Sequence, residues 1–250
     1  MLKHAVALVH RAGAALRSDV KMRKVVREKG PGDIVTKGDL YVERLVVEGL
    51  RKLYPDHSYL SEESGLCRGT AGETWILDPI DGTKYFSRQI PLYSISLALE
   101  LNGTLQIGIV FFPETDELYL AEHGRGARLN GKRIRCSPLR HLEEALLNAE
   151  IPSRSSTERE RRWGLGKLKT LIECSHRVRV FGVGSLGLCL CASGKMDAYV
   201  NLATATKRWD TAAGELIARE SGCRYSVVDA SIVCAPPALH NRLRRLVSGI

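Results

Sequence analysis

Trp75-Ile76-Leu77-Asp78-Pro79-Ile80-Asp81-Gly82-Thr83 carries two carboxylates, three positions apart, to a Gly-Thr step at the end of an apolar run. The lead-in predicts a buried strand that delivers both acids to one end of a sheet, with Pro79 fixing a turn between them. Gly82 and Thr83 then open a helix, whose first N–H groups lack intrahelical acceptors and favour an anion. Carboxylate oxygens suit Mg²⁺, a hard cation that usually shares its shell with water and substrate phosphate. Asp-Pro-x-Asp-Gly is also ordinary turn chemistry, and the segment alone leaves both readings open.

Further acidic segments narrow the choice. Upstream, Ser61-Glu62-Glu63-Ser64 follows Tyr59-Leu60 and sets adjacent acids at a strand end. Downstream, Trp209-Asp210-Thr211-Ala212-Ala213-Gly214 puts an Asp directly before a small-residue helix, where it reads as an N-cap. Asp33-Ile34-Val35-Thr36-Lys37-Gly38-Asp39 precedes an amphipathic helix over Leu40 to Leu53, with Asp39 as the expected cap and Asp33 left in the loop.

These four signatures, in this order, resemble the inositol monophosphatase superfamily of lithium-sensitive, Mg²⁺-dependent phosphatases, which includes 3′(2′),5′-bisphosphate nucleotidases. Gly126 through Ile134 is similar to the family's hairpin, so the likeness spans nearly the whole chain. The resemblance implies an α+β fold, layered as an α-β-α-β-α sandwich. It implies a metal-activated water acting on a phosphomonoester, with Glu62, Asp78 and the Ile80 carbonyl on one Mg²⁺, and Asp78, Asp81 and Asp210 on a second. A third, weaker Mg²⁺ is implied near Glu62. Asp33 and Thr83 would orient and deprotonate the water. Asp81, Gly82, Thr83, Gly184, Ser185 and Asn201 would form the substrate wall, and a homodimer is usual. Lys84 after the Gly-Thr step resembles the nucleotidase form, whereas Asn201 stands where inositol phosphatases hold a Glu. Inositol phosphates and related sugar phosphates are the leading substrates, with adenosine 3′,5′-bisphosphate the alternative.

Composition is compatible with that picture. A chain of 250 residues with 44% hydrophobic content can bury one large core as a single domain, in halves of about 1–140 and 141–250. No segment approaches the roughly 18 apolar residues of a membrane helix, and the N-terminus lacks a secretory apolar region, so a cytoplasmic protein is expected. Seven cysteines without Cys-x-x-Cys spacing suggest reduced thiols rather than disulfides or a zinc site. The net charge of +9 lies away from the acidic motifs, in segments such as 21–24 and 159–162. Without a recognition motif or interleaved aromatics, solvated faces explain it better than a nucleic-acid partner.

Periodicity predicts a helix over Lys3 to Arg17 and strands over Trp75 to Leu77, Tyr93 to Leu101, Leu105 to Phe112 and Leu118 to Glu122. Asn102-Gly103 and Asn130-Gly131 signal hairpins, hence an antiparallel meander. After Pro138, helix and strand alternate: helices over Trp163 to Glu173, Ser185 to Ala192 and Thr211 to Ser221, and strands over Arg177 to Phe181 and Met196 to Leu202. Leu142 to Leu147 is ambiguous, and Ser153 to Arg162 reads as a mobile polar surface segment. Gly182-x-Gly184-x-x-Gly187 also fits a dinucleotide fingerprint, but no acidic strand end follows at the required distance. The region between Gly222 and Ile232 is too short for a Gly-rich hairpin found in many relatives.

Overall fold

The computed structural model describes residues 1–30, 33–203 and 206–249. Helices α1 (Leu2–Ser18) and α2 (Lys37–Leu53) flank a two-stranded ribbon, β1 (Val25–Gly30) and β2 (Asp33–Thr36). The large sheet contains β3 (Ser58–Ser61), β4 (Gly65–Cys67), β5 (Glu73–Asp81), β6 (Ser94–Leu101), β7 (Thr104–Phe112), β8 (Glu117–Glu122), β9 (Ala127–Leu129) and β10 (Lys132–Arg133), with the short helix α3 (Thr83–Ser87) following β5. Its strand order is β10-β9-β8-β7-β6-β5-β3-β4. From β5 to β10 this is the expected antiparallel meander, while β3 joins β5 in parallel.

The second sheet contains β11 (Leu146–Glu150), β12 (Arg177–Arg179), β13 (Ala198–Asn201), β14 (Arg224–Val228) and β15 (Ser231–Ala235), in the order β12-β11-β13-β15-β14. Its helices are α4 (Glu158–Cys174), α5 (Gly184–Ala192), α6 (Arg208–Glu220) and α7 (Pro237–Val247).

Alternation along β5 and β7 explains the layering. Trp75, Leu77, Ile109 and Phe111 point to one face and pack against Ala5, Val9, Leu16, Val42, Val46 and Leu50 of α1 and α2. Ile76, Val110 and Phe112 point to the other and meet Leu188, Ala212, Ala213 and Leu216 of α5 and α6. The same middle layer contacts Tyr199, Ile232 and Cys234 of the second sheet. That sheet's opposite face, with Leu147, Ala149, Val200 and Val233, is covered by α4 and α7 through Leu171, Leu239 and Leu243. The result is the expected α-β-α-β-α sandwich. Each fully buried aliphatic or aromatic side chain contributes roughly 1.5–3 kcal/mol, so the layers are held chiefly by apolar burial.

Several boundaries differ from the sequence reading. Ser153 to Arg162 lies at the surface but is not all loop, because α4 begins at Glu158 behind a capping box in which Thr157 and Glu160 bond each other's main chain. Leu142 to Leu147 resolves into a 3₁₀ turn followed by β11. A hairpin does form between Gly222 and Ile232: β14 and β15 pair across a turn in which Asp229, at φ 54°, takes the left-handed conformation usually left to glycine. Among the described residues no helix is long and apolar enough to cross a membrane.

Close approach of the large sheet to α6 is set at Gly108 of β7. A Cβ there would lie 2.7 Å from the Ala213 carbonyl oxygen and 3.3 Å from its Cα, neither of which moves without the whole helix. Gly108→Ala is therefore expected to lower stability by roughly 1–3 kcal/mol in urea unfolding. An unchanged midpoint would show that α6 slides freely on the sheet.

Candidate active site

Strand β5 runs through Pro79 instead of turning there, and the two acids are separated by a bulge. Asp78 pairs with Ser96 and Asp81 with Ser94, so three steps on β5 oppose two on β6. Pro79 has no N–H to contribute to the ladder, which suits it to such a break. The bulge re-aims the strand end and delivers both acids inward. Asp78 is 2% exposed, and its Oδ1 has no hydrogen-bond partner.

Glu62 reaches the same place from β3. Because β3 lies parallel to β5 and the Glu62 N–H donates to the Leu77 carbonyl at 3.3 Å, the end of β3 stands level with Asp78. Lys29 of β1 donates to Glu62 Oε1 at 2.9 Å and Glu63 Oε1 at 2.7 Å, and Arg27 donates to Glu63 Oε2 at 2.9 Å. The buried Glu63 side chain is thus paired with two partly exposed cations beside Glu62. Glu43 of α2, a residue no motif had marked, accepts from the Ser61 hydroxyl and the Glu63 N–H and pins this strand end.

Asp81 turns towards α5. Its Oδ2 accepts from the N–H and the hydroxyl of Ser185, the former at 2.8 Å. The first turn of α5 therefore holds a carboxylate where a dinucleotide phosphate would sit, and Gly184 lines the wall beside it. Asp210 corrects the cap assignment: α6 begins at Arg208, and Asp210 lies inside its first turn, its Oδ2 accepting from the Lys207 N–H at 2.7 Å.

The same correction applies to Asp39. Thr36 is the cap of α2, and Asp39 completes the capping box, with Oδ2 accepting from the Thr36 N–H at 2.7 Å. Its other oxygen, Oδ1, accepts from the Thr83 hydroxyl at 3.3 Å, and that hydroxyl also donates to the Ile80 carbonyl at 2.8 Å. Asp39 is 1% exposed, whereas Asp33 is exposed at the start of β2. Asp33 instead lines an outer cavity of about 530 Å³ with Gly82, Thr83, Lys84 and Arg88. Gly82, at φ 92°, brings the main chain against the Leu92 carbonyl, where a Cβ would lie at 2.6 Å.

An inner cavity of about 310 Å³ is lined by Asp81, Glu150, Gly184, Tyr199, Asn201 and Asp210. Both ends of the Asn201 amide are engaged locally: Oδ1 accepts from the Ala203 N–H and Nδ2 donates to Thr206 Oγ1, each at 2.7 Å. Asn201 shapes this wall rather than offering a free amide. Glu150, its register partner on β11, is the carboxyl that sequence reasoning missed. Burial, then the Asp81 charge, pushes Glu150 up to about 8, and its Oε1 is buried without a partner.

Burial and mutual repulsion act together on these acids. Burial raises Asp78 well above the carboxylate range, and the charges of Glu62, Asp81, Asp210 and Asp39 add to it. Burial likewise pushes Asp81 up to about 6, against the Ser185 bonds, and Asp210 and Asp39 up to about 7. An unpartnered, buried carboxylate oxygen among oxygen donors of one sign fits a hard divalent cation. Glu62, Asp78, Asp81, Asp210 and the Ile80 carbonyl are the groups that would supply that donor set.

The sign of the pH effect follows. These carboxyls have folded values above their unfolded ones, so their contribution to stability is full below about pH 4 and is lost as pH rises through about 6 to 7. Without divalent cations, thermal stability should fall between pH 5 and 8 by on the order of 2 kcal/mol relative to Asp210→Asn. Added Mg²⁺ should remove the difference. Parallel pH profiles for the two proteins would show that Asp210 is not held in a repulsive cluster.

The inositol monophosphatase family model matches residues 1–247. Nus factor SuhB of Vibrio cholerae is 35% identical over 229 residues, spanning 89% of this chain and 83% of that protein. Nus factor SuhB of Escherichia coli K12 is 34% identical over 226 residues, with the same coverage of 89% and 83%. Among solved structures, the extragenic suppressor protein suhB from Bartonella henselae superposes with a TM-score of 0.92 at 29% identity, covering 100% of this chain and 99% of its own. The Thermotoga maritima IMPase superposes at 0.86 with 29% identity, covering 98% and 96%. The chain belongs to the inositol monophosphatase family.

Proposed function

We propose that this protein is a Mg²⁺-dependent phosphomonoesterase acting on inositol monophosphates or related sugar phosphates. The observation that carries the reading is the unpartnered Asp78 oxygen, buried where Glu62, Asp81 and Asp210 converge. When bound, paired divalent ions supply Lewis acidity to the phosphoryl oxygens and lower the pKa of water. Glu62, Asp78 and the Ile80 carbonyl would hold one ion, and Asp78, Asp81 and Asp210 the other.

The chain's own groups do the rest. The first N–H groups of α3, at Gly82 and Thr83, have no preceding turn to bond and are available to phosphate oxygens. Thr83 Oγ orients the attacking water, and Asp39 takes its proton through that hydroxyl, because Asp39 Oδ2 is committed to Thr36 while Oδ1 faces Thr83. We assign the base role to Asp39 over Asp33 on that contact. Glu150, protonated below about pH 8, offers the hydroxyls of the leaving group a donor that Asn201 does not. A homodimer and a cytoplasmic location remain part of this proposal.

Phosphate release from inositol monophosphate, other sugar phosphates and adenosine 3′,5′-bisphosphate, with Mg²⁺ varied and Li⁺ added, tests reaction class and substrate together. Turnover confined to the bisphosphate would move the assignment to a nucleotidase, which Lys84 and Arg88 at the outer cavity would suit. Asp81→Asn should abolish turnover with the fold intact, and Asp39→Asn should lower kcat by about 100-fold or more, against a few-fold for Asp33→Asn. Equal losses at Asp39 and Asp33 would reject the base assignment. Glu150→Gln should raise KM for polyol phosphates severalfold while leaving kcat for a simple aryl phosphate unchanged. A matching loss for the aryl compound would place Glu150 in the general scaffold instead.

A second reading is prompted by the relatives named Nus factor and by the net charge of +9. In it the basic surface binds nucleic acid, alongside hydrolysis or in place of it. Binding that weakens steeply with salt, in protein without Mg²⁺-dependent turnover, would favour this reading.

A further inference from the structure

Cys191 lies 32 residues from Cys223 and 43 from Cys234, so no local spacing announces a cluster. The fold nevertheless joins them from three elements: the last turn of α5, the turn after α6, and β15. Cys191 Sγ stands 3.7 Å from Cys223 Sγ and 3.8 Å from Cys234 Sγ, and all three sulfurs lie within 4.8 Å of one another. All three residues are buried. Cys136, half-buried in the segment after β10, stands beside Cys223, its N–H bonded to the Ser221 carbonyl at 3.1 Å. As thiols these groups bond one another and the main chain: Cys191 donates to the Cys234 carbonyl at 3.5 Å, Cys223 to the Cys191 carbonyl at 3.9 Å, and Cys234 to Cys191 Sγ at 3.8 Å.

Two thiolates sharing one Zn²⁺, each about 2.3 Å from it, stand about 3.8 to 4.0 Å apart. The Cys191 separations already match that edge. We propose that Cys191, Cys223 and Cys234 form a structural site for one soft, thiophilic cation of the Zn²⁺ type, with Cys136 as the fourth donor from the half-buried side. Each thiol gives its proton to solvent and gains a metal–sulfur bond, with no change in the oxidation state of sulfur. Sulfur donors favour such a cation over Mg²⁺, which separates this site chemically from the carboxylate centre. The ion would tie both helices of the middle layer to the second sheet, and to the segment leading out of the first.

The test uses the reduced full-length protein in saturating Mg²⁺, which occupies the carboxylates, titrated with Zn²⁺ and with Co²⁺ as the spectroscopic probe. One tightly held equivalent per chain, an intense thiolate-to-Co²⁺ charge-transfer absorption and proton release on binding are expected. Cys223→Ser and Cys234→Ser should weaken binding at least about tenfold, as should Cys136→Ser, the variant least disturbing to the core. Cys67→Ser combined with Cys174→Ser, outside the cluster, should leave it intact. A wild-type chain without the charge-transfer band, or one that forms a disulfide under these conditions, overturns the site. So does a band that survives Cys191→Ser with Cys234→Ser in protein folded by circular dichroism. Unchanged binding in Cys136→Ser overturns the fourth-donor assignment.

Discussion

Burial of several carboxyl groups within reach of one another, at the end of a single sheet, is the constraint on which the rest of this structure depends. Desolvation and mutual repulsion act in the same direction at Asp78, and no hydrogen bond relieves its Oδ1. A fold keeps such a cluster only if apolar burial elsewhere offsets it, and the three packed cores flanking the two sheets do so. The cluster is eased by partial neutralisation of the acids, by the Lys29 ammonium on Glu62 and Glu63, and by any divalent ion that enters. Each remedy is a cation or a proton, because only positive charge relieves a crowd of buried carboxylates.

Geometry at the centre is fixed by a device used twice. Asp39 and Asp210 each occupy the first turn of a helix, and each gives one oxygen to the main chain just before it. That bond satisfies an otherwise unpaired N–H and also fixes the carboxyl rotamer, and at Asp39 it leaves the second oxygen facing Thr83. Asp81 is locked differently, by the first residues of α5. The acids therefore come from β5, the end of β3 and two helix starts, and the middle helical layer joins the two halves of the chain around them.

The sequence made part of this legible, residue by residue. Asp78, Asp81 and Gly82 were readable because an apolar run, two acids and a glycine are adjacent, and a strand leading into a helix preserves that order in space. Glu62 was readable as a strand end, since β3 and β5 run parallel. The burial of Asp39 and exposure of Asp33 were not, because both flank the same helix start and only the capping box at Thr36 decides which one turns inward. Thr157 and Glu160 did signal the start of α4, yet the charged run around them resembled a surface loop. Glu150 gave no signal: a single acid ending a short strand becomes notable only when β11 is set beside β13 and its neighbour Asn201 is found occupied.

By itself, the sequence determined the class of fold, the meander, and the local pieces of an acidic, phosphate-compatible centre, because strand alternation, turn residues and helix starts act over a few residues. Tertiary structure alone decided which acids share a pocket, which oxygen of each is free, and that Cys191, Cys223 and Cys234 meet. Those outcomes depend on contacts between segments far apart in the chain. Local propensity carries no information about them, and packing of the five layers supplies it.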